Sequence, residues 1–296
     1  MRFFNTAGPV NRADHYCLPP LGRVNLDQIL SLIAQKKYFV LHAPRQVGKT
    51  SLLLALRDHL NATGAYRCLY INVESAQAAR EDVRAAMRVI LTELMLWGSI
   101  TLQDAFFLEN ANDILARYGE FSALDAALTL WAERNPARPA VLLIDEIDAL
   151  VGDTLISVLR QLRSGYAKRP TAFPQSVVLC GVRDVRDYRI HSGQEKAIIT
   201  GGSAFNIKAA SLRLGDFSQT EVKTLYQQHT AETGQPFTPA ALDLAWDLTQ
   251  GQPWLVNALG YETCFQMPAA RDRTQPITAE LILEAKEAII LRWETH

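Results

Sequence analysis

Apolar positions along the chain alternate between short continuous runs and longer stretches of helical spacing. The short runs are rich in aromatic and β-branched residues, which predicts buried strands at 36–43, 65–75, 139–150, 175–184 and 205–214. Between these runs, apolar residues recur with helical spacing at 49–64, 81–98, 121–135 and 154–166. Strands that alternate with helices indicate an α/β fold with a parallel sheet whose strands are covered on both faces.

The pattern changes at Gly215, because only helical spacing follows. Each predicted helix opens on Ser, Thr or Pro at or near its cap, and these helices cover 218–234, 238–251, 253–265 and 278–293. We therefore expect three parts: an N-terminal arm at 1–35, an α/β core at 36–214 and an all-helical domain at 215–296. The segment from 185 to 204, which contains three glycines, is expected to be a polar loop.

Composition and charge narrow the classes of protein. The 296 residues are 48% hydrophobic and 21% charged, with a net charge of −1, so no global field favours nucleic acid or anionic lipid. The four cysteines are scattered singly, which indicates neither a zinc site nor a disulfide framework. The N-terminus has no apolar signal region and no apolar run reaches membrane-spanning length, so we expect a cytoplasmic protein with no membrane partner.

Between the first predicted strand and helix lies "HAPRQVGKTSLL" at 42–53, which approaches the phosphate-loop pattern G-x-x-x-x-G-K-[ST]. A helix start presents free N–H groups to phosphates, and Gly48 lets the backbone come close. Lys49 would bridge phosphate oxygens and the Thr50 hydroxyl would bind Mg²⁺. The alternative is a plain strand–turn–helix corner. The predicted nucleotide-binding residues here are Ala43, Pro44, Arg45, Gln46, Val47, Gly48, Lys49, Thr50 and Ser51.

The first loop position is Ala43, where the pattern has glycine. Glycine is required only where φ is positive, so alanine costs little if its φ is negative. Pro44 biases the residue before it toward extended geometry. The sequence therefore predicts a negative φ at Ala43, whereas a positive φ would indicate strain and a decayed site.

The strand at 139–150 ends in the acidic stretch "DEID". Mg–ATP chemistry needs a carboxylate near the metal and a group that orients the attacking water. Asp145 would hold Mg²⁺ directly or through a water, and Glu146 would act as the general base. Parallel strands bring their carboxyl ends to one edge, where ligands bind. The alternative is that Asp145, Glu146 and Asp148 are solvated loop residues that cap the next helix.

"APRQVGKT" and "LLIDEID" resemble Walker A and Walker B of the P-loop NTPases. A glutamate directly after the Walker B aspartate resembles the additional-strand catalytic-Glu division, which includes the AAA+ and STAND ATPases. "GVRDVRDYR", "SLRLGDFS" and "GQPWLVNAL" are similar to stretches of bacterial AAA-like ATP-binding proteins, so the resemblance covers nearly the whole chain from about Leu18. It implies a P-loop core with a parallel five-stranded sheet flanked by helices, an all-helical lid, and ATP or ADP with Mg²⁺ as cofactors.

Two further stretches resemble motifs of the STAND group. "PPLGR" at 19–23 is similar to the small-residue–Arg motif beside the nucleotide base in STAND and origin-recognition-type ATPases, which implicates Pro20 and Arg23. "GQPWLV" at 251–256 is similar to the G-x-P motif of the STAND lid, whose proline packs on adenine, and implicates Gly251 and Pro253. The alternative for Pro253 is an ordinary proline in the first turn of a helix.

In that family a polar residue after the fourth strand acts as sensor 1. The candidates here are Arg183, Asp184 and Arg186, and Arg183 follows the strand most closely. The resemblance therefore implies a catalytic set of Glu146, Lys49 and Arg183. The alternative is that the arginines pair with nearby aspartates at the surface, as exposed ions commonly do.

Three functions remain in competition. The first is ATP binding with slow Mg-dependent hydrolysis, used as a nucleotide-dependent switch with a protein partner or self-association through the ATPase domain. The second is a non-hydrolysing ATP/ADP-binding scaffold or interaction module. The third is a DNA-associated origin-recognition-type ATPase, which is not favoured because a basic winged-helix would be expected and no basic stretch follows the lid. STAND proteins usually carry further effector or sensor domains, whereas this chain ends at "LRWETH", which is expected of an isolated or truncated module.

One basic stretch, "RQLRSGYAKRP" at 160–170, bears on the third function. It could contact nucleic acid or supply an arginine finger across an oligomer interface. More commonly such a stretch is a solvated helix face. Its cations are Arg160, Arg163, Lys168 and Arg169.

Overall fold

The computed structural model of the protein describes residues 1–184, 187, 189–192, 197–200 and 205–294. The chain divides into two compact units. The first, here called the sheet unit, comprises Asn25–Pro44 and Leu52–Arg213. The second, here called the helical unit, comprises Met1–Val24, Arg45–Ser51 and Leu214–His296. The domain limits predicted at 35/36 and 214/215 stay a prediction.

The strands are short, and the helices vary from two to six turns. In chain order the strands are β1 (Phe3–Phe4), β2 (His15–Tyr16), β3 (Tyr38–His42), β4 (Arg67–Asn72), β5 (Ala140–Asp145), β6 (Ser176–Gly181), β7 (Arg189–Ser192), β8 (Ala197–Thr200) and β9 (Lys208–Arg213). The α-helices are α1 (Leu26–Ala34), α2 (Lys49–Ala62), α3 (Val83–Leu102), α4 (Phe106–Tyr118), α5 (Ala123–Glu133), α6 (Gly152–Ser164), α7 (Gln219–Thr233), α8 (Pro239–Thr249), α9 (Pro253–Tyr261) and α10 (Ala279–Glu294).

The sheet unit is built on five parallel strands in the order β4-β5-β6-β3-β9. Strands β5 and β6 are buried along their whole length, because helices cover both faces of a parallel sheet. One strand, β6, lies between β3 and β5. The predicted fold class, a parallel five-stranded sheet flanked by helices and followed by a helical region, is confirmed.

Helix α3 is longer than predicted, because it continues past Gly98 to Leu102. By length and composition alone it could cross a membrane, so the expectation that no apolar stretch reaches that length needs correction. Its inward face, which includes Met87, Ile90 and Leu94, belongs to the main core of the sheet unit. A helix with one face in a protein core is the simpler account of this composition.

In the sheet unit, helices α1 and α4 and strands β7 and β8 escaped prediction. Helix α1 lies in the segment that was predicted to be an arm, and its side-chain cap is Asn25. Strands β7 and β8 pair in antiparallel fashion within the segment predicted to be a polar loop. The two hairpin strands are only four residues each and leave little pattern, whereas α1 does have apolar residues at helical spacing, so its omission was an error of prediction.

The helical unit has its own core, formed by helices α7 to α10 and the N-terminal pair β1 and β2. Phe4 and Tyr16 are fully buried in that core beside Tyr226. Helix α7 begins with a capping box, in which the Ser218 side chain and the Glu221 side chain each bind the other's backbone N–H. The helical prediction for this region is therefore confirmed, and short strands at the N-terminus complete it.

Candidate functional site

The predicted phosphate loop lies between the end of β3 at His42 and the start of α2 at Lys49. Two of its residues have left-handed backbone, Gln46 with a φ of 62° and Gly48 with a φ of 96°. Lys49 is the first residue of the helix and is only 5% exposed. A left-handed glycine immediately before a helix start is the geometry in which a backbone approaches phosphate closely.

Ala43 adopts the backbone that its sequence context predicts. It is not among the described residues with positive φ, and its side chain is fully buried. Its N–H donates to the carbonyl oxygen of Gly181 at 3.2 Å, which extends the pairing of β3 with β6. The prediction of a negative φ at this position is confirmed, so alanine opens the loop without backbone strain.

Arg23, in the short 3-10 helix Pro20–Arg23, contacts the phosphate loop within the helical unit. Its Nη1 donates to the carbonyl oxygen of Val47 and its Nη2 to that of Gly215, each at 2.7 Å. Its guanidinium carbon lies 4.5 Å from the ring centroid of Phe217. Burial lowers the pKa of this guanidinium, while the carboxylates of Glu221 and Asp216 act in the opposite direction. The predicted place of Arg23 beside the nucleotide base stays a prediction.

Asp145 ends β5 and is fully buried. The hydroxyl of Tyr70 donates to its Oδ2 at 3.1 Å, and the backbone N–H of Glu146 donates to its Oδ1 at 3.0 Å. Burial and the charge of Asp145 raise the pKa of Tyr70, so this hydroxyl remains a protonated donor. The alternative of a solvated loop residue is therefore wrong for Asp145.

Glu146 has left-handed backbone, with φ 56° and ψ 41°. Its carbonyl oxygen accepts from the N–H of Ala149, which begins a short 3-10 helix. A residue with a Cβ costs about 1–3 kcal/mol in a sparsely populated backbone region and persists only where its surroundings hold it. Such strain clusters at functional sites, and here it falls on the predicted general base.

The stretch Asp145–Asp148, here called the acidic turn, is hydrogen-bonded to the residue that follows the neighbouring strand β6. The backbone N–H of Val182 donates to Oδ1 of Asp148 at 3.0 Å. Arg183 follows directly and is exposed, whereas Asp184 forms an ion pair with the buried Lys208. The structure thus brings the sensor candidate Arg183 to the strand end that the acidic turn contacts. The other candidate, Arg186, lies outside the described residues.

The GQP segment lies in the helical unit. Gly251 has a φ of 76°, and a Cβ at this position would lie 1.9 Å from the carbonyl oxygen of Phe217. Its own carbonyl oxygen accepts from the N–H of Phe217 at 2.8 Å. Pro253 is buried and begins α9, with Gln252 as the side-chain cap. These contacts agree with an ordinary first-turn proline, and the adenine role of Pro253 stays a prediction.

The remaining loop residues lie as follows. Ser51 accepts from the N–H of Val10 at 3.1 Å, so its hydroxyl contacts the N-terminal segment. Thr50 is the second residue of α2 and is partly buried. Pro44 and Arg45 are exposed.

Two cations of the basic segment support the fold. Lys168 pairs with Asp125 at 2.5 Å, and the Arg169 guanidinium lies 3.2 Å from the ring centroid of Tyr166. Arg160 is exposed and lines a cavity of about 280 Å³ between the start of α5 and α6. Arg163 is also exposed.

Among the residues that the structure describes, no group of three or more His, Cys, Asp or Glu side chains could hold a metal ion. Mg²⁺ at phosphate sites needs only one or two protein ligands, because waters and phosphate oxygens supply the rest. A threonine hydroxyl at a helix start and a buried carboxylate, Thr50 and Asp145, are the donor types that this ion prefers.

Tyr70, whose hydroxyl donates to Asp145, is not among the site residues that the sequence predicted. Its signal was a tyrosine inside the apolar run at 65–75, because a buried hydroxyl needs a partner. Phe217, which lies against Arg23, carried no comparable signal.

Comparison with solved structures supports this fold. The Walker-type ATPase PABY2304 of Pyrococcus abyssi superposes with a TM-score of 0.62 at 13% identity, over 99% of this chain and 78% of that protein. Cdc6p from Pyrobaculum aerophilum gives a TM-score of 0.57 at 15% identity, covering 96% and 70%. Domain III of the Thermotoga maritima replication initiation protein DnaA gives 0.53 at 12% identity, covering 95% and 98%. At these identities the likeness shows the fold alone.

Comparison of sequences adds the family. No curated protein sequence matches the chain. Residues 33–188, more than half of the chain, match the family described as the AAA domain. This range contains the phosphate loop, the acidic turn and Arg183. The chain therefore belongs to the AAA domain family of P-loop ATPases.

Proposed function

We propose that the protein binds ATP and hydrolyses it slowly in a Mg²⁺-dependent reaction, and that it acts as a nucleotide-dependent switch. The observation that carries the proposal is the acidic turn, where a buried aspartate is followed by a glutamate held in left-handed backbone. Strands β3 and β5 are parallel members of one sheet, so their carboxyl ends lie at the same edge. The phosphate loop follows β3 directly in the chain.

Each residue has a distinct task in this proposal. The backbone of the phosphate loop and the Lys49 ammonium bind the phosphates. Thr50 and Asp145 would hold Mg²⁺, which would supply neutralisation of charge on the phosphoryl group. Glu146 would accept the proton of the attacking water, and Arg183 would act at the terminal phosphate as sensor 1. The added strand β6 between β3 and β5 supports placement in the additional-strand catalytic-Glu division.

The switch would work through the helical unit, with Pro253 contacting adenine as in the STAND lid. Binding can shift a conformational equilibrium only by its difference in affinity for the two states. STAND membership, a protein partner or self-association, and a cytoplasmic location belong to this proposal. Of these, STAND membership rests on the sequence motifs "PPLGR" and "GQPWLV".

Substitution of Glu146 and Lys49 tests the proposal. Glu146→Gln should lower ATP turnover at least roughly 100-fold while ATP binding is kept, because a general base contributes about 10²–10⁴-fold. Lys49→Ala should lose both binding and turnover. Glu133→Gln, an exposed glutamate of α5, is the matched control and should leave both unchanged. Turnover is measured as phosphate release, and binding by calorimetry with ATP.

Wild-type turnover no greater than that of Glu146→Gln would contradict hydrolysis and favour the binding module instead. Identification of the nucleotide released from purified, denatured protein would then show whether ADP or ATP is a permanent ligand. Absence of ATP binding by the wild type would contradict both functions.

A DNA-associated function is the weaker proposal. One protein of similar fold, the Thermotoga maritima DnaA, is a replication initiation protein. In this chain, however, Lys168 and Arg169 are engaged in contacts within the sheet unit. DNA binding whose affinity falls steeply as the salt concentration rises would support a DNA-associated function.

A further inference from the structure

Arg23 forms contacts that its predicted place beside the nucleotide base does not explain. Both of its terminal nitrogens donate to backbone carbonyl oxygens, one on Val47 in the phosphate loop and one on Gly215. Its guanidinium carbon lies over the ring of Phe217. All of these residues belong to the helical unit. A guanidinium that is bonded through two nitrogens and lies over a ring is fixed in orientation.

The bond to Val47 constrains the phosphate loop directly. The peptide bond between Val47 and Gly48 is planar, so its carbonyl oxygen and its N–H point in opposite directions. Because Arg23 holds the oxygen on one side, the Gly48 N–H is held toward the other. A Cβ at Gly48 would lie 3.0 Å from Nη1 of Arg23, so a larger side chain there would press on the guanidinium.

The bond to Gly215 extends the same constraint toward the GQP segment. Phe217, which lies under the guanidinium, donates its N–H to the carbonyl oxygen of Gly251. The close approach of Gly251 to the Phe217 carbonyl leaves no space for a Cβ there. A continuous set of contacts therefore runs from Val47 through Arg23 and Phe217 to Gly251.

We propose that Arg23 is a positioning residue that orients the Val47–Gly48 peptide for phosphate and couples its orientation to the segment Gly215–Phe217. This inference rests on the proposed nucleotide binding and deepens it. Phosphate on the loop would shift the Arg23 contacts, and the shift would reach Phe217 and Gly251 through backbone hydrogen bonds. In this role Arg23 does not contribute to recognition of the nucleotide base.

The test separates phosphate from base by using Mg²⁺ with inorganic tripolyphosphate, and adenosine, as separate probes. Arg23→Lys keeps the charge but loses the two-pronged geometry, so tripolyphosphate affinity should fall about tenfold or more. Adenosine affinity should stay within about twofold. Arg12→Lys, an exposed arginine of the same N-terminal segment, is the matched control and should change neither affinity. Calorimetry measures both, and urea unfolding verifies that each variant folds.

Hydrogen exchange supplies the readout that a purely structural role would not change. In the wild type, tripolyphosphate should slow exchange of the Phe217 amide, and in Arg23→Lys this ligand-dependent protection should be lost. Phe217→Leu, which keeps Arg23 and the backbone bonds but removes the ring, gives a second variant in which the protection should be weakened.

The outcomes are distinct. Unchanged tripolyphosphate affinity in Arg23→Lys, with or without a loss of adenosine affinity, would overturn this inference and leave the proposed function standing. Equal protection of Phe217 in wild type and Arg23→Lys would overturn the coupling. If the wild type bound neither ATP nor tripolyphosphate, the proposed function would fail, and this inference would fail with it.

Discussion

The phosphate loop and the acidic turn each follow a buried strand of one parallel sheet, and each contains left-handed backbone. They differ in which residue carries it. After β3 the largest positive φ falls on Gly48, where the backbone itself would bind the ligand. After β5 it falls on Glu146, whose side chain is the proposed base. A site that works through its backbone can use glycine, whereas a site that works through a side chain must retain it and bear the strain.

The segments that follow β3 and β5 also differ in the hydrogen bonds that hold them in place. The acidic turn is held by its own carboxylates, because Asp145 accepts from the Glu146 N–H and Asp148 from the Val182 N–H. The Val47 carbonyl of the phosphate loop is instead held by Arg23, which is distant in sequence. We therefore expect changes in the loop to affect ligand binding most, and changes in the acidic turn to separate stability from activity.

The largest expected effect is at Gly48. Gly48→Ala should lower ATP affinity at least roughly 100-fold, equivalent to about 2.7 kcal/mol, because the Cβ meets both a left-handed φ and the Arg23 guanidinium. Gly64→Ala is the matched control, since Gly64 has a φ of 70° but nothing within 4 Å. It should lower stability slightly and leave affinity unchanged. Equal losses of affinity in both variants would break the distinction between loop geometry and general strain.

The next effect concerns the support of the acidic turn. Tyr70→Phe removes the hydroxyl that donates to Asp145, so the free energy of unfolding should fall by about 2 kcal/mol. ATP turnover should fall as well, because the carboxylate loses one of its fixed contacts. Tyr118→Phe, at a 42% exposed tyrosine of α4, should change neither quantity. Urea unfolding measures the difference, and a stable, fully active Tyr70→Phe variant would show that the backbone N–H suffices to position Asp145.

A smaller effect tests whether Glu146 bears strain for the sake of its side chain. Glu146→Gly should raise the free energy of unfolding by about 1 kcal/mol, since glycine adopts left-handed backbone freely, while hydrolysis is lost. Gln103→Gly, at an exposed left-handed residue that ends α3, should give a similar gain without loss of activity. A Glu146→Gly variant less stable than wild type would contradict the claim that Glu146 bears backbone strain.

Continuous apolar runs and helical spacing predicted the five sheet strands and most helices, because burial on both faces leaves a strong pattern. Strands β7 and β8 were missed, since a short isolated hairpin has no such burial pattern along the sequence. At the candidate site, "GKT" predicted a loop that leads into a helix and "DEID" an acidic strand end, and the structure has both. The Tyr70 bond to Asp145 and the Arg23 bond to Val47 could not be predicted, because each joins residues far apart in sequence through side-chain geometry.

The smallest expected effect is at Ala43, where the pattern of the phosphate loop would have glycine. Its φ is not positive, so glycine would relieve no strain. Glycine would enlarge the freedom of the unfolded chain and would also remove a fully buried methyl group. Ala43→Gly should therefore lower the free energy of unfolding by about 1–2 kcal/mol, but it should leave ATP affinity within twofold of wild type, which makes it the smallest effect on the ligand. Urea unfolding and calorimetry measure the two quantities on the same preparation. A gain in affinity would mean that alanine weakens the loop after all, and that the loop needs glycine at two positions rather than at Gly48 alone.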